Sequence, residues 1–219
     1  GCCHNPTGAN LSHENWSYLT KFCLSNNILP LIDLAYQGFG DGIYEDVVGL
    51  QNMASQLPEI CIAVSCSKNF GLYRERVGAS LIVVPDDKSR QITEDNLKSF
   101  NRLTFSFPPD FGASLVDLVL SETKSLSLNW QGELIQMRKR MLDLRTSLAD
   151  SLRRTTNSNR FDFVARHRGM FSLLGLDSDE VLRLRKEHGI YMVGDSRINI
   201  AGLNHSKLED FSSAVASVI

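Results

Sequence analysis

The chain has 219 residues, of which 42% are hydrophobic and 22% are charged, enough apolar material for one large or two small domains. A formal net charge of −2 gives no electrostatic reason to expect a nucleic acid partner. We expect no membrane partner either, because the sequence has neither an apolar run long enough for a transmembrane helix nor a secretory signal pattern.

The five cysteines are an odd number without the spacing of a disulfide framework. They favour free thiols in a reducing compartment, and we expect a cytoplasmic location. A metal site could be imagined among the N-terminal cysteines and histidines, but their spacing fits no usual zinc pattern. We therefore expect no bound metal.

The first half of the chain alternates helical and strand-like patterns. It begins at Gly1 without an initiator methionine and enters the turn motif HNPTG at once, so we expect a piece of a longer polypeptide. Ser12 is a candidate N-cap, with Leu11 and Trp16 as a hydrophobic staple at the start of a helix. Strands are then predicted over 28–36, 59–66 and 78–87, with a helix over 47–58 between the first two. The direction of the third strand is left open. This alternation predicts an α/β sheet with helical crossovers.

The second half is predicted to be mainly helical at first and then mixed. A helix over 89–105 is followed by a break at 106–114 and by one or two long helices over 112–156. The remainder predicts a small α+β unit whose successive elements are a strand over 161–176, a helix over 179–193, one or two strands over 196–204 and a helix over 208–219. We predict a large domain over 1–135 and a small domain over 136–219.

Polar side chains follow the first two predicted strands where those strands end. Asp33 and Tyr36 belong to the end of the first, and Ser65, Lys68 and Arg76 follow the second. Ligands of open α/β sheets bind outside the carboxyl ends of the strands, so these groups are expected to face one crevice. A lysine withdrawn from water loses proton affinity and can act as a nucleophile. The set suits pyridoxal phosphate. The amine can bond to its aldehyde, the carboxylate can pair with its ring nitrogen, and the hydroxyl and the guanidinium can bind its phosphate.

Five segments carry a resemblance to a known family. They are HNPTG, DLAYQGF, SCSKNFGLYRERVG, GMFSLLGL and RINIAGL, and they resemble the motifs of the class I aspartate and aromatic amino acid aminotransferases, in the same order and at similar spacing. The resemblance covers nearly all of this chain but only about the C-terminal half of the family's. It implies an α/β fold of type I, comprising the C-terminal part of a large, mostly parallel sheet domain and a small α+β C-terminal domain.

The resemblance also implies roles for individual residues. Lys68 would bond covalently to pyridoxal 5′-phosphate and transfer protons, and Asp33 would pair with the pyridine nitrogen. Asn5 and Tyr36 would contact the cofactor's phenolic oxygen. Ser65 and Arg76 would hold the phosphate, and Ser67 would add a further cofactor contact.

Three more residues would contact the substrate under the same resemblance, together with Asn5. Arg197 would bind the α-carboxylate, and Phe171 would lie on the substrate side of the small domain. Arg102 would reach across a homodimer interface to a distal carboxylate, with Ser106 near the partner's site. The expected reaction transfers the amino group of aspartate or an aromatic amino acid to a 2-oxo acid such as 2-oxoglutarate.

Two alternatives stay open from the sequence. One is a lyase or decarboxylase of the same fold that uses the same cofactor. The other is a non-catalytic fragment or subunit-interaction module of the family. Arg102 permits aspartate without excluding tyrosine or phenylalanine, so the preferred amino acid is not predicted.

Overall fold

The computed structural model describes residues 1–122 and 124–219; Thr123, within the stretch 112–156 predicted to be helical, lies outside them. The chain forms two compact units. Unit 1 contains Gly1 and residues 11–37 and 46–133, and unit 2 contains residues 2–10, 38–45 and 134–219. The two short segments 2–10 and 38–45 thus group with the C-terminal part of the chain. The predicted domains, 1–135 and 136–219, stay a prediction.

Unit 1 begins with helix α1, His13–Asn26, whose start confirms the predicted N-cap. The Ser12 hydroxyl accepts a 3.1 Å hydrogen bond from the Asn15 backbone N–H, and the Asn15 side chain accepts one from the Ser12 N–H in return. This reciprocal pair satisfies donors that the first helical turn leaves unpaired. The helix ends at Asn26, and the C-cap residue Asn27 adopts a left-handed conformation with φ 53°.

The sheet of unit 1 has three strands in the order β1, β2, β3. The parallel pair consists of β1, Leu31–Leu34, and β2, Ile60–Ser65, with helix α2, Val48–Ala54, between them in sequence. Strand β3, Gly78–Val83, is antiparallel to β2, which answers the question left open by the sequence. Strand β1 is shorter than the predicted 28–36 because pairing with β2 starts only at Leu31.

One face of this sheet is buried and the other is exposed. Leu34, Ile60 and Ile62 are buried, whereas Asp33 and Ala63, which pair in the register of β1 and β2, are exposed. The alternation follows from the two-residue period of a strand. Asp33 therefore belongs to the open face.

Three further helices follow the sheet in the described part of the chain, and the last of them continues into unit 2. Helix α3, Asp87–Thr104, starts at the N-cap Asp86, and none of its residues is buried. Helix α4, Phe111–Asp117, is followed by a π-helical turn, Leu118–Glu122, and then by helix α5, Lys124–Thr156. The predicted helical stretch is thus confirmed as two helices in the described part of the chain.

Unit 2 packs around the apolar stripe of the C-terminal part of α5, where Met141, Leu144, Leu148 and Leu152 are buried. The elements that follow are helix α6, Phe163–Arg166, strand β4, Phe171–Leu173, helix α7, Ser178–His188, strand β5, Arg197–Asn199, and helix α8, Leu208–Val218. Strands β4 and β5 form an antiparallel pair in which Leu173 lies opposite Arg197.

The prediction of a strand over 161–176 is wrong for its first half. Phe161 and Val164 are both buried, and their spacing of three residues matches one face of a helix rather than a strand. Within this segment, the strand pairing among the described residues is confined to Phe171–Leu173. Among the described helices, none is both long and apolar enough to cross a lipid bilayer.

Candidate active site

Lys68 lies on a tight turn directly after strand β2. The turn is closed by a hydrogen bond from the Gly71 N–H to the Lys68 carbonyl oxygen, 3.1 Å long. The half-buried ammonium of Lys68 lies 4.7 Å from the centroid of the Tyr36 ring, which is buried. This is within the range of a cation–π contact. The structure thus brings together two residues that the sequence predicted to meet.

The two predicted serines flank the end of strand β2. The Ser65 hydroxyl accepts a 3.2 Å hydrogen bond from the Ser67 backbone N–H, so the chain folds back at this point. Ser65 is half-buried and Ser67 is buried. Between them, burial raises the pKa of the Cys66 thiol. The position offers hydroxyl and backbone donors next to Lys68.

Asp33 lies near the carboxyl end of strand β1, one residue before its end. Since β1 and β2 are parallel, Asp33 and the turn carrying Lys68 belong to the same end of the sheet. Among the described residues, no hydrogen bond or ion pair joins Asp33 to Lys68. The carboxylate is exposed on the open face.

Arg76 is exposed and has a left-handed backbone, with φ 52°. Its guanidinium donates a 3.1 Å hydrogen bond to the carbonyl oxygen of Tyr73 in its own loop. In this conformation the side chain satisfies a neighbouring carbonyl, although it remains accessible to an anion from solvent.

Unit 2 holds a second cluster of predicted site residues. The Arg197 guanidinium donates a 3.1 Å hydrogen bond to the Asn5 side-chain oxygen, and its central carbon lies 5.5 Å from the centroid of the Phe171 ring. The Arg197 backbone N–H donates to the Asp195 carboxylate at 3.0 Å. Arg197 also lines a cavity of about 440 Å³ with mainly apolar neighbours, including Phe171 and Tyr191. The structure therefore brings Asn5, Phe171 and Arg197 together.

Arg102 and Ser106 are exposed at the end of helix α3. The Ser106 N–H donates a 3.2 Å hydrogen bond to the Arg102 carbonyl oxygen, and Ser106 has a left-handed φ of 63°. The Arg102 side chain is exposed to solvent.

Sequence reasoning missed Arg145, which is fully buried in helix α5. Among the described residues, its guanidinium donates six hydrogen bonds, all to neutral oxygens of the segment 164–172. Burial lowers the pKa of Arg145 to about 10. The available signal was its place next to Leu144 and four residues after Met141, within the apolar stripe of the helix.

Comparison with known proteins shows which family this chain is similar to. The sequence profile described as "Aminotransferase class I and II" matches residues 1–215. The aromatic-amino-acid aminotransferase of Paracoccus denitrificans is 51% identical over 218 residues, covering 100% of this chain and 55% of that protein. The aspartate aminotransferase of Escherichia coli is 39% identical over 219 residues, with the same coverage of both chains.

A solved structure agrees with these relatives. It is described as an aromatic-amino-acid aminotransferase from Burkholderia pseudomallei covalently bound to pyridoxal phosphate, and it matches with a TM-score of 0.94 and 37% identity over 99% of this chain and 54% of that one. The chain thus spans about half the length of the relatives it matches. The predicted α/β fold of type I is confirmed, and the chain belongs to the class I and II aminotransferase family.

Proposed function

We propose that this chain carries the cofactor lysine and the α-carboxylate site of a pyridoxal-phosphate-dependent aminotransferase. The observation that carries the proposal is the Lys68 ammonium, held 4.7 Å from the Tyr36 ring where the parallel strands β1 and β2 end. The names of the relatives support transamination of aromatic amino acids or of aspartate.

The residues of unit 1 fit pyridoxal 5′-phosphate chemically. The group supplies an aldehyde that bonds to amines and a protonated ring that accepts electrons from the substrate carbon. Lys68 offers the amine, Asp33 is an exposed carboxylate able to accept a hydrogen bond from the protonated ring nitrogen, and Tyr36 offers a phenol beside the amine. The amine, the carboxylate and the phenol of these residues thus match the aldehyde, the ring nitrogen and the phenolic oxygen of the cofactor.

Ser65 and Arg76 would hold the phosphate, and Ser67 would add a further cofactor contact. The Arg76 guanidinium, now bonded to the Tyr73 carbonyl oxygen, would exchange that neutral acceptor for a charged one. A hydrogen bond to an ionised acceptor is roughly twice as strong as one between neutral groups. The exchange is therefore favourable.

In the reaction, Lys68 would serve as the base that removes and returns a proton at the substrate α-carbon. Tyr36 would orient the Lys68 amine through the ring contact. In unit 2, Arg197 would bind the α-carboxylate with its guanidinium fork, and Asn5, which already accepts a hydrogen bond from Arg197, would orient that fork. Phe171 would shield the carboxylate from water, which strengthens the charge pair.

The proposed substrates are aspartate or an aromatic amino acid and a 2-oxo acid such as 2-oxoglutarate. Arg102 would bind the distal carboxylate of a dicarboxylic substrate. A homodimer is also part of the proposal, because the resemblance assigns Arg102 and Ser106 to a subunit interface. A cytoplasmic location remains a prediction from the composition.

The test is amino transfer by the chain expressed with any flanking sequence that its gene encodes. Phenylalanine or aspartate is supplied with 2-oxoglutarate, and both products are quantified. The proposal predicts equal amounts of the new 2-oxo acid and of glutamate, abolished by Lys68→Ala and retained by the exposed control Lys88→Ala. Release of ammonia or CO₂ without glutamate would instead favour a lyase or decarboxylase. No turnover with any amino donor would favour a non-catalytic module.

A further inference from the structure

The turn that carries Lys68 is held from one side by Trp130 of helix α5. The indole N–H of Trp130 donates a 2.7 Å hydrogen bond to the carbonyl oxygen of Asn69, the residue after Lys68. The indole also stacks on Phe70, with 4.4 Å between ring centroids and 13° between the ring planes. One side chain thus contacts the two residues that follow Lys68 through two different interactions.

Asn69 connects this turn to the loop that carries Tyr36. Its side-chain N–H donates a 3.4 Å hydrogen bond to the carbonyl oxygen of Gln37, which directly follows Tyr36. Asn69 is buried, with 8% of its surface exposed, and its side-chain oxygen has no hydrogen-bond partner among the described residues. Burying an amide costs free energy of desolvation. We therefore expect the Asn69 side chain to make a favourable contribution that offsets this cost, as the link between the two loops.

These contacts form a continuous chain from α5 to both members of the Lys68–Tyr36 pair. Trp130 fixes Asn69, Asn69 fixes Gln37, and the neighbouring residues Lys68 and Tyr36 meet at 4.7 Å. A lysine side chain is a flexible four-carbon stem, so its amine can reach many positions. A turn that fixes the lysine backbone restricts those positions. Small displacements of reacting groups cost large factors in rate.

We propose that Trp130 and Asn69 are positioning residues that set the placement of the Lys68 amine beside Tyr36. The inference rests on the proposed function, because it assigns these residues to the reaction of the same lysine. Neither residue touches the substrate in this account. Trp130 acts through the backbone of the turn, and Asn69 acts through its side-chain hydrogen bond to the loop that carries Tyr36.

The first test removes the hydrogen bond from Trp130 to Asn69 and keeps the ring stacking on Phe70. Trp130→Phe removes the indole N–H but leaves an aromatic ring for Phe70. We expect kcat to fall about tenfold with KM changed less than twofold, because only the placement of the amine is disturbed. The visible circular dichroism of the pyridoxal-phosphate-loaded protein should change, and the backbone amides of residues 66–71 should exchange hydrogen faster. The matched control is Trp16→Phe, a buried tryptophan of the same unit that packs on Gly49, which should leave all three readouts unchanged.

Asn69→Ala is the second variant, which keeps the backbone carbonyl for Trp130 but removes the link to Gln37. It should produce the same changes in dichroism and in hydrogen exchange, so the proposal does not depend on whether Trp130→Phe folds well. The inference is overturned if either folded variant keeps the wild-type kcat and dichroism while the wild type bonds the cofactor at Lys68. If the wild type does not bond the cofactor at Lys68, the proposed function itself fails and this inference fails with it.

Discussion

The Arg145 guanidinium donates a 2.6 Å hydrogen bond to the carbonyl oxygen of Phe171, the first residue of strand β4. Five further hydrogen bonds from the same group reach Val164, Arg168, Gly169 and Ser172. A buried cation surrounded by carbonyl oxygens replaces the backbone partners that an irregular segment lacks. Arg145 therefore fixes the chain that presents the Phe171 ring to Arg197.

Arg145→Met is expected to destabilise unit 2 by at least about 3 kcal/mol, since each buried carbonyl left without a donor costs about 1–3 kcal/mol. The free energy of unfolding of Arg145→Lys should lie between those of Arg145→Met and the wild type, because an ammonium cannot reach the same acceptors as the planar guanidinium. Urea unfolding at pH 7.5 measures the differences. Lys139→Met, at an exposed position of the same helix, is the control and should change the free energy of unfolding by no more than about 0.5 kcal/mol. Equal losses for the variants at 139 and 145 would contradict this role.

His167 predicts a dependence of stability on pH. Burial lowers the pKa of His167, and the neighbouring Arg145, Arg166 and Arg168 lower it further, against the opposing hydrogen bond to the Thr7 carbonyl oxygen. The unfolded chain, with a histidine pKa of about 6.5, then binds more protons than the folded chain as the pH decreases below neutrality. The free energy of unfolding should therefore decrease as the pH falls through 6.5 and through the lowered folded value.

The check on this prediction is urea unfolding of wild type and His167→Gln at several pH values from 8 to 5. The stability advantage of the wild type should shrink as the pH falls. The exposed Gln91→Ala, which removes no titrating group, is the control, and its difference from the wild type should stay constant. An advantage of the wild type over His167→Gln that does not vary with pH would show that burial of this imidazole has no such effect.

Arg102→Leu is expected to discriminate between substrates. It should lower kcat/KM for aspartate by about 10- to 100-fold, the loss expected for a hydrogen bond between charged groups, and leave kcat/KM for phenylalanine within about threefold. Steady-state kinetics with both amino donors measures the ratio. Arg90→Leu in the same helix removes an exposed arginine paired with Asp87 and Glu94, and should alter neither value. Equal losses for the two donors in Arg102→Leu would contradict the assignment.

Gly49 permits the close approach of helices α1 and α2. A Cβ atom at Gly49 would collide with the indole of Trp16, whereas a Cβ at Gly132 in α5 would meet no atom within 4 Å. Gly49→Ala should destabilise the protein by about 1–3 kcal/mol through overpacking. Gly132→Ala should stabilise it by up to about 1 kcal/mol, because alanine loses less backbone entropy in a helix. Thermal unfolding of both variants shows whether each substitution raises or lowers the stability. A stabilised Gly49→Ala would refute the packing argument.

Local patterns in the sequence predicted the elements that local physics determines. The Ser12 cap was recognisable because capping depends on residues three positions apart. The meeting of Lys68 and Tyr36 was predictable because parallel strands end at the same edge of a sheet. The direction of β3 was not predictable, since a hydrophobic run carries no direction.

Features that depend on distant partners were missed. The burial of Arg145 depends on acceptors 19 to 27 residues later in the chain, and no local pattern marks them. Trp130 lies 61 residues from Asn69 and looks like any aromatic residue of an amphipathic helix. The segment 161–166 is rich in aromatic and branched residues, which favour strands, although its buried positions have helical spacing.

The covalent partner of pyridoxal phosphate is the most direct test of the account. The chain, with any flanking sequence its gene encodes, is incubated with the cofactor, reduced with borohydride and mapped by peptide mass spectrometry. The account predicts one phosphopyridoxyl group, on Lys68, and none in Lys68→Ala. A modification spread over surface lysines, or confined to a lysine other than Lys68, would contradict it.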